Sequence, residues 1–507
     1  MTTRDRAASM TQDDVVALLD SHAELKQQLD WLKRQLFGEK SERRVMDSTG
    51  RQYFLGELPA AVDPLPTESV AAYRRRSSGA VVDDDAPLRF DDTVPVEVIH
   101  IPPPPGVSPD SHIKISEKTT DRLAQRPGSH VILRYVREVW KKKDDGTLVQ
   151  PPAPPAVLDR SLADVSLLAG LVIDKFQYHM PLYRQHQRMA AAGIHLTRAT
   201  LTNWVHRTAD LLVPIYEAQF DSILAGEVIA MDETPIRAGR DQPGKMKRGY
   251  FWPTYGEKDE IVFPFSGSRG GGVVKELLGD FKGTLLTDGY RPYDRHAEMT
   301  KGLIHALCWE HVRRNFEESI AIEPQLCGEA LERIGRLYEQ EAQLDRKGDP
   351  PEKRLEHRAV HSRPIVDEFF PWLVATLEAQ LLLPSNPFSK AANYALEREA
   401  GLRVFLEYPD VPIDTNHLER QIRPIALGRK NWLFCWTEIG AKYVGIIHSL
   451  IATCRLQGIA PYIYLVDVLQ RIETHPANRV HELTPRLWKD LFAANPLRSD
   501  LDRIRRG

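Results

Sequence analysis

Between Gly226 and Cys308 the chain carries a succession of apolar, β-branched and aromatic runs. GEVIAMDET, RGYFWPTYG and DEIVFPFS follow one another directly, and GTLLTDGY and GLIHALC then alternate with helix-forming stretches. Short runs of this kind, bounded by Gly, Lys and Asp, read as strands. Three in direct succession predict neighbouring antiparallel strands. Two more, separated by helix, extend them into a mixed α/β sheet. A glycine-rich turn at Gly270 to Gly272 opens one of those helices, which runs through Leu278. Neither an all-helical nor an all-β fold accommodates this order.

Two of the runs end in an aspartate, Asp232 in IAMDET and Asp288 in LLTDGY. A carboxylate at the exposed end of a buried strand is well placed to hold a metal ion. The competing role is a turn or helix cap, for which Asp is favoured anyway; two on adjacent strands favour the site. Glu233 is set aside, because alternation along a continuing strand would turn it to the opposite face. From Trp309 to about Ala400 the sequence is helical in character with no new strand. DTNHLERQIRPIALGRKNWLFC then brings a helix start, with Asp414 or Thr415 as cap and Glu419 about a turn inside. Arg420, Arg423, Arg429 and Lys430, interleaved with Trp432 and Phe434, form a basic and aromatic patch suited to phosphate; the competing reading is a solvated charged face. His311, Arg313 and Arg314 after the strand ending in Cys308, and His417 beside Glu419, are auxiliary candidates, although a helical histidine is more often a surface or satisfied polar residue.

At 507 residues the chain exceeds one hydrophobic core, so several domains are expected. With 42% hydrophobic and 27% charged residues it has an ordinary globular composition. No apolar run of about eighteen residues suggests a membrane span, and no signal peptide is visible, which points to the cytoplasm. Cys308, Cys327, Cys435 and Cys454 are too scattered for a disulfide framework or a zinc knuckle. A net charge of −3 means that any contact with nucleic acid must come from local basic patches.

Ahead of the sheet, Val15, Leu18, Leu25, Leu29, Leu32 and Leu36 fall at heptad positions, with the polar His22 among them. They predict a short coiled coil, or else one amphipathic helix packed on its own protein. A Pro, Ser and Asp-rich linker follows. Between two proline clusters, HVILRYVREVW alternates like strands, with a turn at Asp145-Gly146. Ser161 can cap a helix through about Lys175, Pro181 can begin another ending at Gly193, and Thr197 caps a third. The last pair has a helix-turn-helix pattern: Leu201, Trp204 and Val205 face the core, and Arg198, Thr200, Thr202 and Asn203 are candidates to read DNA, the competing reading being an ordinary structural helix pair joined by a glycine turn. The expected organisation is coiled coil 1–50, linker 51–98, β module 99–156, helix-turn-helix block 157–215, mixed-sheet core 216–320, helical insertion 321–405, the end of the core with Glu419 in 406–460, and a helical tail 461–507.

The leucine heptads ending in RQLFGEKSE, the MDET and TDGY motifs, CWEHVRRNF, NHLERQIRPIALGRKNWLF and IATCRLQGIAPYIYLVDVL occur in this order from about Leu18 to about Leu469. Together they resemble the bacterial transposases of the insertion sequence sixty-six family. The resemblance implies a ribonuclease H-like core of the DDE type, interrupted by a helical insertion, with Asp232, Asp288 and Glu419 as its triad. It also implies DNA as partner, both element ends and target, and two Mg²⁺ ions, for which Mn²⁺ can substitute. On that reading Asp232 would bridge both ions, with Asp288 on one and Glu419 on the other. Small accessory proteins encoded nearby are further partners, and the coiled coil would make a homo-oligomer. The sequence departs from the family in one respect: where members carry a cysteine-rich zinc element, residues 99–150 contain no cysteine, so no structural zinc is expected. A catalytically inactive, transposase-derived DNA-binding or regulatory protein is the alternative.

Overall fold

The computed structural model describes residues 94–504 apart from 127, 243, 347, 381 and 434, together with short strands at 45–46, 52–53 and 89–90. The expected coiled coil and most of the expected linker lie outside the described residues. Two compact units are formed. One comprises Met1–Val81, Val312–Glu339 and Asp367–Glu397; the other comprises Val82–His311, Gln340–Val366 and Arg398–Gly507.

In the first unit Val45–Met46 (β1) pairs antiparallel with Gln52–Tyr53 (β2). The rest of what is described there is helical and is held by aromatic rings. Phe316 packs against Phe369 and Phe388, with centroids 6.4 and 5.7 Å apart, and Arg333 lies 4.2 Å over the Trp372 ring.

The second unit carries the sheets. Arg89–Phe90 (β3) pairs with Ile194–His195 (β8). Between them in sequence, Val96–Ile101 (β4), His112–Arg126 (β5), Ser129–Lys142 (β6) and Leu148–Val149 (β7) form a four-stranded sheet. Its apolar face buries Leu123, Ala124, Val131, Leu133 and Tyr135 against Leu501, and the Tyr135 hydroxyl donates to Asp500 at 3.0 Å, so the chain's end packs on this module. The module is packed through carbon and tyrosine. All four cysteines are buried thiols elsewhere in the chain.

Three helices follow: Val165–Phe176 (α1), Leu182–Ala191 (α2) and Arg198–Leu224 (α3). The cap of α1 is Asp164 and not Ser161 as expected: Asp164 Oδ1 accepts from the Ser166 amide at 2.9 Å and from the Ser499 hydroxyl at 2.7 Å, both in buried surroundings. Thr197 caps α3 as its sequence suggests, its Oγ1 accepting from the Thr200 amide at 3.0 Å. Helix α3 does not stop at 215, where a domain boundary was expected. It continues to Leu224, where Ile223 enters the core of the next sheet and the Gln219 amide donates to the Ile261 carbonyl at 2.7 Å.

The three runs read as single strands each break in two. The first gives Val228–Met231 (β9) and Thr234–Gln242 (β10); the second, Lys245–Phe251 (β11) and Thr254–Gly256 (β12); the third, Glu260–Val262 (β13) and Phe265–Ser266 (β14). Pro253 and Pro264 mark two of the breaks, because proline has no amide for the ladder. The inner halves join Thr284–Thr287 (β15) and Ile304–Leu307 (β16) in a five-stranded sheet of order β13-β12-β9-β15-β16, while the outer halves make a separate sheet, β10-β11-β14. Strands β13, β12 and β9 are antiparallel neighbours, and β15 and β16 run parallel to β9. Gly271–Leu278 (α4) and Arg291–Met299 (α5) connect the parallel strands, and Val274, Leu278 and Tyr293 from them close the core with Ile229, Trp252 and Leu285.

Helices Trp309–Ser319 (α6), Pro324–Glu341 (α7), Pro351–His357 (α8), Arg363–Gln380 (α9), Pro387–Leu396 (α10) and Glu399–Arg403 (α11) fill the strand-poor interval. Asn416–Trp432 (α12), Glu438–Leu456 (α13) and Pro461–Arg471 (α14) complete the part of the fold that frames the site. Helix α13 lies directly on the sheet: a Cβ at Gly445 would meet the Phe263 carbonyl oxygen at 2.1 Å, and Ser449 and Thr453 accept from the amides of Phe263 and Ile261. No helix among the described residues is long and apolar enough to cross a membrane.

Candidate active site

The register of the five-stranded sheet determines where the aspartates stand. Ala230 pairs with Leu286, and Leu286 with Ala306. Two residues further along each strand, Asp232, Asp288 and Cys308 stand abreast at the ends of β9, β15 and β16. Both aspartates also serve their turns. Asp232 Oδ1 accepts from the Glu233 amide at 2.7 Å, and Asp288 Oδ1 accepts from the Tyr290 amide at 2.8 Å. Gly289 follows with φ +82°, a left-handed backbone that turns the chain sharply into α5.

Glu419 is brought to this edge by a chain of backbone contacts. Buried Arg358, paired with Glu341 at 2.7 Å, also donates to the Phe405, Tyr408 and Pro409 carbonyls, while Arg354 binds Asp410 at 2.6 Å. That pins the approach to α12. The Trp309 amide then donates to Ile413 O at 3.1 Å, and the Thr415 amide and hydroxyl both contact Cys308 Sγ at 3.3 Å. Asp414 accepts from the Asn416 amide at 3.0 Å and so turns the chain into the helix. Glu419 lies one turn further, with its Oε1 4.0 Å from His311 Nε2 on α6.

The site's electrostatics are those of crowded carboxylates. Burial, reinforced by Asp288, Glu233 and Glu419, pushes the Asp232 carboxyl up to about 7, and the hydrogen bond from the Glu233 amide opposes that rise. Such a cluster favours either a shared proton or a bound cation.

Glu233, set aside in the sequence reading, belongs to this neighbourhood. Strand β9 ends at Met231, so alternation does not govern Glu233, whose side chain is only 2% exposed. It is ion-paired with Arg269 and accepts from the Tyr293 hydroxyl at 3.0 Å. Burial raises its carboxyl, Arg269 opposes that, and Asp288 adds to it. Arg269 also stacks 4.2 Å over the Tyr290 ring.

The other expected residues separate. His417 packs edge-on to Tyr255, centroids 4.7 Å apart, and burial, aided by Arg346, lowers it to about 3, so it is a neutral packing residue. Arg313 pairs with Glu317 at 3.0 Å, and Arg314 is an exposed residue of α6; both belong to the first unit. Arg420, Arg423 and Lys430 are exposed on α12. Arg429 is not: its guanidinium donates to the Pro235 carbonyl and is partly buried, which removes it from the expected basic patch. Trp432 is half-buried and Phe434 lies outside the described residues. On α3, Arg198, Thr202 and Asn203 are exposed, but Thr200 is engaged with Thr197 in the cap, with hydroxyls 3.0 Å apart, so it is not the free residue expected. Thr202 bonds the Arg198 carbonyl at 3.0 Å.

Comparison with known proteins places the chain. Residues 160–443 match the Transposase IS66 family, residues 449–486 the IS66 C-terminal element, and residues 24–99 a region described as Transposase C of IS166 homeodomain. Two uncharacterized proteins of Sinorhizobium fredii (strain NBRC 101917 / NGR234) are similar over nearly their whole length. The protein y4hP is 32% identical over 93% of this chain and 89% of its own, and y4jD is 31% identical over 94% and 96%. A third, y4qI, is 26% identical over 77% of this chain and 74% of its own. The family match spans more than half of the residues and contains both strand-end aspartates and the helical glutamate: this chain belongs to the IS66 family of transposases.

Proposed function

We propose that the chain is a metal-dependent DNA transposase, cutting element ends and joining them to target DNA, with Asp232, Asp288 and Glu419 as its catalytic carboxylates. The observation that carries this reading is the convergence at one sheet edge: two aspartates abreast on neighbouring parallel strands, and a glutamate whose field reaches the first of them. The strand order supports a ribonuclease H-like core, since three antiparallel strands come first and two parallel strands follow on the far side of the first.

The residues suit a divalent cation. Three carboxylates of like charge, one of them raised by burial and by its neighbours, suit a hard ion such as Mg²⁺. Among the described residues no three His, Cys, Asp or Glu side chains are gathered closely enough to hold an ion already. Bound ions would polarise the scissile phosphate and lower the pKa of attacking water. The protein's own part is to fix donors and substrate. The Glu233–Arg269–Tyr293 group holds the corner after Asp232, His311 stands beside Glu419, and Arg420, Arg423 and Lys430 offer charge to the phosphate backbone. Arg198, Thr202 and Asn203 on the helix-turn-helix pair would read the element ends.

Single Asp232→Asn, Asp288→Asn and Glu419→Gln proteins, assayed with Mg²⁺ on duplexes carrying the element ends, should each lose cleavage and joining by at least about a hundredfold while folding normally. A folded variant that cuts at the wild-type rate removes that residue from the triad. The ungathered carboxylates favour one second reading, a transposase-derived DNA-binding protein without catalysis. Wild-type protein that binds the ends and never cuts them would establish it.

A further inference from the structure

The outer sheet next to the site was not singled out by any sequence motif. Strands β10 and β11 form a hairpin bearing Arg237, Arg240, Lys245, Lys247 and Arg248, all exposed. Two carboxylates answer them: Asp241 lies 3.7 Å from Lys245, and Glu438 lies 3.3 Å from Lys247. Arg237, Arg240 and Arg248 make no ion pair among the described residues. This is a dense positive surface in a chain whose net charge is −3.

Its arrangement is costly in the absence of an anion. Arg237 and Arg248 are direct partners across the antiparallel ladder. Like charges directly opposite one another on a sheet destabilise it. The ladder shifts register on either side of Arg240, and such bulges re-aim side chains. The Arg240 guanidinium comes to lie 4.9 Å over the ring of Trp436, which is 61% exposed. The chain leaving α12 is bonded to the hairpin, with the Cys435 amide donating to Arg237 O at 2.9 Å and the Gly239 amide to Cys435 O at 3.1 Å. Leu433, 64% exposed, precedes it.

The hairpin is also linked closely along the chain to the carboxylates. Strand β10 begins two residues after Asp232, and the segment bonded to its edge follows the helix that carries Glu419, Arg420, Arg423 and Lys430. At about 3.3 Å per residue of strand and 1.5 Å per residue of helix, the two arms keep the arginines within roughly 20 to 30 Å of the carboxylates. That is at most about eight nucleotide steps at about 3.4 Å per step.

We propose that the β10–β11 hairpin, edged by Cys435 and Trp436, is a second DNA-holding surface that grips the phosphate backbone within about eight nucleotides of the cleaved bond. The inference rests on the transposase reading above. Arg237, Arg240 and Arg248 bind phosphates, and the duplex relieves the repulsion between the facing arginines. Trp436 supplies a flat apolar contact to a sugar or base at the same place.

The test uses the full chain and a fluorescent 40-base-pair duplex carrying an element end, titrated at several KCl concentrations. Each phosphate contact contributes about 0.9 to the slope of log K against log salt. The Arg237→Gln/Arg240→Gln/Arg248→Gln protein should show a slope shallower by about 2 to 3 and affinity at least about tenfold weaker at 150 mM salt. A control losing equal charge at exposed sites elsewhere, Lys118→Gln/Lys390→Gln/Lys489→Gln, should keep the wild-type slope. Single Arg237→Gln and Arg248→Gln proteins, which remove a repulsion, should melt no lower than wild type and carry the test if the triple variant folds poorly. A hairpin slope equal to wild type, or an equal loss in the control, overturns the proposal. Cleavage by the Asp232→Asn protein is scored separately: if it cuts normally, the catalytic reading fails while the slopes still decide the hairpin.

Discussion

Removing the charge of Asp232 should stabilise the folded chain, and only above the acidic range. Its carboxyl is raised from 3.8 to about 7, first by burial and then by Asp288, Glu233 and Glu419. A group whose folded pKa exceeds its unfolded value binds more protons in the native state, so stability falls as pH climbs between the two values. A rise of about three units corresponds to about 4 kcal/mol at full ionisation, and relaxation of the site reduces that to about 2 kcal/mol or more. Asp232→Asn keeps the shape and the acceptor for the Glu233 amide and removes the charge. Urea unfolding at pH 4 should therefore find the variant and wild type equal, and at pH 8 should find the variant more stable by about 2 to 4 kcal/mol. Mg²⁺ in the pH 8 buffer should narrow the gap by stabilising wild type alone. Equal stability at pH 8, or a variant less stable there than wild type, would refute the argument that Asp232 is strained by burial and by neighbouring carboxylates.

Two further outcomes follow from the geometry. Gly445→Ala drives a methyl group to 2.1 Å from the Phe263 carbonyl, so helix α13 must lift from the sheet; a loss of about 3 kcal/mol or more is expected in thermal or urea unfolding. His417→Asn should leave the pH profile of DNA cleavage between about 5 and 9 unaltered, because burial already keeps this imidazole neutral throughout that range. Loss of its edge-on contact with Tyr255 should instead lower stability by about 1 kcal/mol.

Asp232 and Asp288 were legible because the residues before them, IAM and LLT, are largely apolar and buried throughout, which leaves the aspartate at the strand's end. Glu419 was less so. Its place depends on contacts between Cys308 and Thr415 and between Arg358 and the 405–409 carbonyls, which join positions far apart in sequence. Glu233 was missed because alternation was carried past the point where the strand stops. The prolines at 253 and 264 signalled the matching breaks in the neighbouring runs, and reading them would have separated the outer sheet, with its basic hairpin, from the inner one. Strand β5 escaped notice because HIKISEKTTDRLAQR is largely polar, and only its end, at Leu123 and Ala124, is buried in the module's core. The boundary expected at 215 falls inside α3, since helical periodicity does not reveal that one helix serves two layers. Arg429 resembled its neighbours in charge, and only the fold shows that it is spent on the Pro235 carbonyl.

The central claim is that Asp232, Asp288 and Glu419 together hold the metal. Fe²⁺ bound in place of Mg²⁺ and exposed to ascorbate and peroxide cuts polypeptide only near its ligands, so mapping those cuts on the full chain reads the site without requiring catalysis. The expected result is cleavage confined to the segments around residues 232, 288 and 419, suppressed by excess Mg²⁺ and lost in Asp232→Asn. Cuts elsewhere with these three segments intact, or a pattern unchanged by Asp232→Asn, would contradict the account.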